Sequence, residues 1–245
     1  MNVYKLVIPI LRKLIPDSKF RQFLARKFEK KYREYLKNLE NPTEFSFCSS
    51  SHLEFMLSLI EKCISKGLEG DIIECGVYKG GSCLRIAKKM KSLQSKKILY
   101  ALDTFEGHPY DDLDNMPANL RKEVYNKKTP KVMKKLYDDV NLEEIKNKFM
   151  EENLDNTIFL KGLFEESFKE ISDRKFCFAH VDADTYLSVK QCIEFLKPRM
   201  VSDGIMLFDD YNMPEYPGCN KAVDDLLGRS SLILLKPHKA YWIKP

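Results

Sequence analysis

The 245-residue sequence has no long apolar run and no paired metal-binding cysteines. Its first apolar segment, residues 3–15, is interrupted by Lys5, Arg12 and Lys13 and has no small-residue cleavage site. We therefore expect neither a transmembrane helix nor a signal peptide there. The seven cysteines form no C-x-x-C pair and the four histidines are scattered, which gives little support to a structural zinc site. An odd number of cysteines within apolar runs indicates reduced thiols and a cytoplasmic protein.

Two nucleotide-binding fingerprints are also missing from the turn after the first predicted strand. That turn, Glu74 to Ser82, reads ECGVYKGGS and departs from G-x-G-x-x-G, and Ser82 stands where a Walker loop requires lysine. A nucleotide-dependent oxidoreductase is therefore disfavoured. Glu74 would repel a pyrophosphate, but it can accept hydrogen bonds from an ammonium group. Ser82 opens the next helix, whose N-terminal amides favour a carboxylate or phosphate. The turn thus favours an amino-acid-like ligand.

Positive charge is concentrated at the start of the chain. The net charge is +5, yet the first forty residues hold 11 Lys and Arg against 4 Asp and Glu, so the remainder is slightly acidic. Residues 1–45 are predicted to form a basic arm of two amphipathic helices broken by prolines. Packing on the body or a homo-oligomer contact is the preferred role, and an anionic membrane surface is the alternative. Nucleic-acid binding is not expected because no recognised motif accompanies the charge.

Residues 46–245 alternate short apolar strands with helices, which predicts an α/β domain around a mostly parallel sheet. The predicted strands comprise residues 72–76, 98–103, 157–160, 176–181, 205–208, 232–235 and 240–243. Helices are predicted from about 52 to 66, 82 to 91, 188 to 196 and 221 to 227, with another beginning at Asn141. The polar stretch 108–139 is predicted to be an insert that forms a lid.

Acids and glycines follow four successive predicted strands, at Glu74 and Gly76, Asp103, Asp182, and the pair 209–210. Ligands of open α/β sheets bind outside the carboxyl ends of the strands, so these residues are expected to converge. Asp103 occupies the position from which such sites bind ribose hydroxyls. An amino acid next to a ribose describes S-adenosylmethionine.

A second predicted constellation contains Asp182, Asp184, Asp209 and Asp210. Adjacent carboxylates repel one another unless a cation or proton offsets their charge. Three carboxylates suit Mg²⁺ or another hard divalent cation with positions left for water and substrate oxygens. Such a cation would lower the pKa of a bound hydroxyl and hold its oxygen near a methyl group.

The chain resembles the macrocin and mycinamicin sugar O-methyltransferases and their aminocoumarin-pathway relatives over roughly residues 50–245. Matching stretches read GDIIECGVYKGGS, ALDTFEGHP, HVDADTY, GIMLFDDY and GCNKAVDD, together with residues 140–164. Tyr78-Lys79, Ala183 and Asp203-Gly204 depart from the family's usual Trp-Arg, Gly and Gly-Gly.

The resemblance implies a class I methyltransferase fold with a seven-stranded sheet and helices on both faces. It also implies Mg²⁺ bound by Asp182, Asp209 and Asp210, and either Asp182 or Asp184 as the base. Glu74 and Ser82 would hold the methionine moiety, Asp103 the ribose, and residues 162–164 the adenine side. The full set of cofactor-binding residues predicted on this basis is Glu74, Gly76, Tyr78, Gly80, Ser82, Asp103, Thr104, Phe105, Gly162, Phe164 and Asp182.

The expected activity is methyl transfer from S-adenosylmethionine to a sugar hydroxyl of a surface glycan or a natural-product glycoside. A phenolic acceptor is the second choice. A hydroxylase or hydrolase on a related scaffold is a further alternative that acids and a metal do not exclude. A non-catalytic binding module is disfavoured, because such a protein would be expected to lose some of the acids and all are present.

Overall fold

The computed structural model describes residues 50–109, 137–213, 216–235 and 239–245. The predicted arm at 1–45 and most of the predicted insert at 108–139 lie outside the described residues. The oligomer and membrane alternatives for the arm therefore stay predictions. Among the described residues, no helix combines the length and the apolar composition that a membrane crossing requires.

Strands and helices alternate along the described chain. The helices are α1 (Ser50–Ser65), α2 (Gly81–Ser92), α3 (Leu142–Glu151), α4 (Phe164–Glu170), α5 (Tyr186–Leu196) and α6 (Pro217–Leu227), followed by a 3₁₀ turn (Arg229–Ser231). The strands are β1 (Asp71–Cys75), β2 (Leu99–Asp103), β3 (Thr157–Lys161), β4 (Phe176–Val181), β5 (Met200–Phe208), β6 (Leu232–Leu235) and β7 (Lys239–Ile243).

The seven strands form one sheet in the order β3-β2-β1-β4-β5-β7-β6. Strands β1 to β5 are parallel to their neighbours, whereas β7 runs antiparallel between β5 and β6. The strand order reverses between β1 and β4, which is the point where open α/β sheets form a crevice for ligands. The predicted mostly parallel seven-stranded sheet is confirmed.

Alternating side chains of the strands supply two apolar cores, one on each face of the sheet. In β1, Ile73 and Cys75 pack on the face that α4, α5 and α6 cover, whereas Ile72 packs on the face that α1, α2 and α3 cover. This alternation follows from the two-residue period of a strand. Both faces are apolar because helices cover both, so the buried strands are predominantly apolar.

The predicted elements match the observed ones closely, apart from helix α4, the start of strand β5 and the start of helix α6, which begins at Pro217, four residues before its predicted start. Helix α4 was not predicted; it is only seven residues long and has no side-chain hydrogen bond at its N-cap Leu163. Strand β5 begins five residues before its predicted start, because residues 200–204 pair beyond an irregularity in the β4–β5 register. Helix α5 begins at Tyr186 because the Thr185 side chain accepts a hydrogen bond from the Ser188 N–H.

Candidate active site

A cavity of about 340 Å³ opens at the carboxyl ends of the parallel strands. Residues that follow five strands line it, and the antiparallel strand β7 adds its first residue. The lining residues used below are Gly76, Tyr78, Ser82, Asp103, Thr104, His108, Tyr137, Gly162, Phe164, Asp182, Asp184, Asp209, Asp210, Tyr216 and Lys239. Most of the predicted site residues thus meet at one edge of the sheet, whereas Glu74, Gly80 and Phe105 are not on the cavity wall.

The glycine turn after β1 brings two strand ends into backbone contact. Gly76 has φ 92°, and a Cβ atom there would overlap the carbonyl oxygen of Asp182. The Gly76 N–H donates to the Leu102 carbonyl at 2.9 Å, and the Asp182 N–H donates to the Cys75 carbonyl at 2.8 Å. Only glycine fits this position, because the backbone is left-handed and the space is filled.

Asp103 organises the loops around the cavity. One carboxylate oxygen accepts the N–H groups of Val77 and Tyr78 at 2.7 and 2.8 Å, and the other accepts the N–H of Phe105 at 2.8 Å. Tyr78 and Phe105 have φ values of 51° and 53°, which are unusual for bulky residues. The loops after β1 and β2 are therefore held by a single carboxylate that also faces the cavity.

Glu74 lies behind the cavity wall. Its side chain has no exposed surface, and Oε1 lies 2.9 Å from Nδ1 of His180, which is equally buried. Among the described residues, Oε2 has no hydrogen-bond partner. The predicted contact between Glu74 and a cofactor stays a prediction, and the described geometry makes it a partner of His180.

Residues after β2 and β3 form the opposite wall. The Thr104 hydroxyl donates to the Gly107 carbonyl at 2.7 Å, and the Gly162 N–H donates to the Asp103 carbonyl at 3.0 Å. Phe164 lines the cavity, whereas the ring of Phe105 is buried in the core. A glycine and an aromatic ring at this wall are suited to a flat ligand group.

The predicted acids divide into two groups in the structure. Carboxylate oxygens of Asp182, Asp184 and Asp210 lie within 4.8 Å of one another. Burial first, and then the charges of neighbouring aspartates, raise the pKa values of Asp182 and Asp210 well above their usual range. Without a cation to compensate the crowded charge, the protonated forms of Asp182 and Asp210 are therefore favoured.

Asp209 instead belongs to a second group with basic partners. Its Oδ1 lies 2.9 Å from Nε2 of His52 and 3.6 Å from Nε2 of His180, and its Oδ2 pairs with the Lys239 ammonium. Burial opposes ionisation of Asp209, but the hydrogen bonds from both histidines and the charge of Lys239 hold its pKa well below the usual range. Asp209 is thus a buried carboxylate surrounded by donors.

The acceptor side of the cavity is polar. Nε2 of His108 lies 2.9 Å from Oδ2 of Asp184, and the hydroxyls of Tyr137 and Tyr216 lie 3.1 Å apart. Asp184 has φ 55°, a conformation that is uncommon outside glycine and that recurs at functional sites. A carboxylate, an imidazole and two phenols can together orient a polyhydroxylated ligand.

Several site residues fit the groups that the predicted chemistry requires. Among the described residues, Oδ2 of Asp210 is buried without a hydrogen-bond partner, and carboxylates are the ligands that Mg²⁺ prefers. Ser82 is buried at the start of α2, where N-terminal amides attract a carboxylate. The donor sets therefore fit both a divalent cation and a zwitterionic cofactor.

Four basic side chains at the site were not predicted. They are those of His52, His108, His180 and Lys239. His180 could have been found, because it precedes Asp182 by two residues and a strand places such residues on the same face. His52 and Lys239 come from distant parts of the chain, and no local pattern marks them.

The seven-stranded, mostly parallel sheet with a cavity at its carboxyl edge is the fold of a Rossmann-like methyltransferase. The chain belongs to the macrocin-O-methyltransferase (TylF) family, whose model matches residues 6–232. The predicted family and enzyme class are confirmed.

Relatives with assigned activities have low sequence identity to this chain but align with most of its length. The mycinamicin III 3''-O-methyltransferase of Micromonospora griseorubida is 23% identical over 192 residues, which are 75% of this chain and 72% of that protein. A tetracenomycin-C rhamnosyl 4'-O-methyltransferase of Streptomyces olivaceus is 25% identical over 173 residues, covering 69% of this chain and 62% of the relative. The O-methyltransferase NovP has a TM-score of 0.65 at 24% identity, with 78% of each chain covered. At that identity the structural likeness establishes the fold.

Proposed function

We propose that this O-methyltransferase moves a methyl group from S-adenosylmethionine to a hydroxyl of a sugar and requires a divalent cation. The observation that supports this most directly is that a single cavity joins the Asp103 loops to the acids Asp182, Asp184 and Asp210. A methyl donor and an activated acceptor would therefore share one space. The sugar acceptor is inferred from the relatives, since one is named for a mycinamicin and another for a rhamnosyl group.

On the cofactor side, Asp103 is proposed to accept the ribose hydroxyls. Each of its oxygens already accepts backbone N–H groups, but the cavity face leaves the carboxylate accessible. The buried Ser82 and the amides that begin α2 would hold the methionine carboxylate. Gly162 and Phe164 would contact the adenine. When bound, the cofactor supplies an electrophilic sulfonium methyl group.

The cation is proposed to lie among Asp182, Asp209 and Asp210. The buried Oδ2 of Asp210, which has no hydrogen-bond partner among the described residues, supports this site, and so does the crowding of Asp182 and Asp210. Asp209 is the chain neighbour of Asp210 and lines the same cavity. A divalent cation bound there would lower the pKa of the acceptor hydroxyl and hold its oxygen in place. Asp182 and Asp210 would be ionised in that state because the crowded charge is compensated.

Asp184 is proposed as the base. It faces the acceptor side, and His108 fixes its Oδ2 at 2.9 Å, so one carboxylate oxygen is oriented. The acceptor proton would pass to Asp184 as the new C–O bond forms and the C–S bond of the sulfonium breaks. S-adenosylhomocysteine, a neutral thioether at sulfur, would be the leaving group. General base catalysis of this kind contributes about 10²–10⁴-fold to the rate.

The test uses the full-length chain in two measurements. Calorimetry with S-adenosylmethionine on the wild type and Asp103→Ala measures the cofactor site. Formation of S-adenosylhomocysteine with a methyl rhamnoside, with a catechol as comparison acceptor, measures transfer with Mg²⁺ and with EDTA. We expect the wild type to bind the cofactor and Asp103→Ala not to bind it. We also expect the wild type to methylate the rhamnoside with Mg²⁺ but not with EDTA.

Asp184→Asn separates the base from the cation site, and Asp173→Asn, at an exposed position, is the matched control. The first variant should lose turnover at least a hundredfold while it still binds Mn²⁺, and the control should keep both. Transfer that survives EDTA would overturn the cation requirement. Methylation of the catechol alone would overturn the sugar acceptor.

A further inference from the structure

The antiparallel strand β7 delivers a lysine to the acid cluster. Phe208 of β5 pairs with Ala240 of β7 at the end of the antiparallel ladder, which brings the next residues, Asp209 and Lys239, side by side. The Lys239 side chain is only 15% exposed, lines the cavity and pairs with Oδ2 of Asp209. A positive charge is therefore built into the wall of a cavity that is otherwise crowded with carboxylates.

Both oxygens of Asp209 are engaged in this arrangement. Lys239 is on Oδ2, and Oδ1 faces His52 at 2.9 Å and His180 at 3.6 Å. Unlike His52 and His180, Lys239 lines the cavity, so it is the basic partner on the cavity side of Asp209. A divalent cation that binds Asp209 must either share this carboxylate with Lys239 or displace Lys239 from it.

The field of Lys239 also extends beyond Asp209. Asp182 and Asp210 line the same cavity as Lys239, so its positive charge acts on them as well as on Asp209. The Lys239 ammonium therefore stabilises the ionised carboxylates, as a cation bound among them would. Two cations at neighbouring positions repel each other, and in a partly buried site this repulsion is strong enough to weaken binding of the second cation measurably.

We propose that Lys239 is the resident counter-ion of Asp209, that it leaves Asp209 when a divalent cation binds, and that it thereby lowers the cation affinity of the site. This rests on the proposed cation site. A purely structural role, in which the ion pair only joins β7 to β5, makes a different prediction, because loss of the lysine would then leave cation affinity unchanged or weaken it.

The experiment measures binding of Mn²⁺ alone by calorimetry, without cofactor or acceptor. Lys239→Met removes the charge and keeps the length, and Lys239→Arg keeps the charge. Lys66→Met is the matched control, since Lys66 also pairs with an aspartate, Asp203, at 3.3 Å but is exposed and far from the cavity. We expect Mn²⁺ affinity to rise about tenfold in Lys239→Met and to stay within about twofold of wild type in the other two.

Unchanged or weaker Mn²⁺ binding by Lys239→Met overturns the proposal. Should that variant fail to fold, the wild type provides the decision through acylation of its lysines and peptide mass spectrometry. Mn²⁺ should then increase modification of Lys239 and leave that of Lys66 unchanged, and no increase at Lys239 overturns the proposal. If neither wild type nor variant binds Mn²⁺, the inference and the cation requirement both fail. Cofactor calorimetry and methyl transfer would still decide the rest of the proposed function.

Discussion

Nδ1 of His180 lies 2.9 Å from Oε1 of Glu74 inside the protein, and neither side chain has any exposed surface. The pair ties β4 to β1 beneath the cavity, directly across the paired residues of the two strands. Burial opposes a charged imidazole, but interactions with Asp209 and Glu74 outweigh it and raise the pKa of His180 to about 10. The protonated imidazole of His180 is therefore favoured at neutral pH.

Removing either partner of this pair should leave a buried group uncompensated. We expect Glu74→Gln and His180→Gln each to lower the free energy of unfolding by about 3 kcal/mol or more. The double variant should lose less than the sum of the two, because the residues contact each other. Urea unfolding without ligands measures all three, and strict additivity would contradict the pairing.

Gly76→Ala should separate the two halves of the site. Its Cβ would overlap the Asp182 carbonyl oxygen, so β1 and β4 must move apart. We expect loss of cofactor binding in calorimetry and a clearly lower melting temperature. Gly67→Ala is the control, because Gly67 has φ 66° and no atom within 4 Å of a new Cβ. That variant should show only a strain of about 1–2 kcal/mol and normal cofactor affinity.

Asp103→Asn should weaken the cofactor site without unfolding the protein. Three backbone donors converge on the carboxylate, two from the loop after β1 and one from the loop after β2. The amide keeps an acceptor oxygen for one loop but presents N–H groups to the donors of the other. We expect S-adenosylmethionine affinity to fall roughly 10- to 100-fold, given about 1.5–3 kcal/mol for hydrogen bonds to a charged acceptor. Calorimetry reports the affinity and circular dichroism the fold. Wild-type affinity in this variant would remove Asp103 from the site.

Cys63 should make stability depend on pH in the alkaline range. Burial first, with the nearby Cys177 second, raises the pKa of the Cys63 thiol from 9.0 to about 12. Because the folded-state pKa is the higher one, this contribution is complete below pH 9 and is lost as pH rises towards 12. The loss amounts to about 1.4 kcal/mol for each pH unit. Urea unfolding at pH 8 and 10.5 with a reductant should show a smaller decrease for Cys63→Ala than for wild type. Equal decreases would contradict the shift.

The residues at the carboxyl ends of the parallel strands could be predicted from sequence because the pattern that marks a strand end is local. A buried apolar run followed by an acid marks the end of a parallel strand, and parallel strands end at one edge. Asp103, Asp182 and Asp210 were placed in this way, and all three line the cavity. The family was predicted separately, from the resemblance of whole sequence stretches such as GDIIECGVYKGGS and GIMLFDDY.

The partners of those acids could not be predicted, because they depend on long-range packing. Lys239 reaches Asp209 only through the antiparallel register of β5 and β7, and His52 reaches it only through the packing of α1. The contact between Glu74 and His180 was likewise not predicted, because it depends on the β1–β4 register that places the two residues side by side. The predicted role of Glu74 towards the cofactor stays a prediction.

The three backbone N–H groups bound by Asp103 affect how quickly a ligand can enter the cavity. The loops after β1 and β2 are fixed by the protein's own carboxylate, so their conformational entropy is already lost during folding. A cofactor that fits this cradle meets a surface that is preorganised for it, and such surfaces bind without a further ordering penalty. Association should accordingly be governed by diffusion into the cavity and not by rearrangement of these loops.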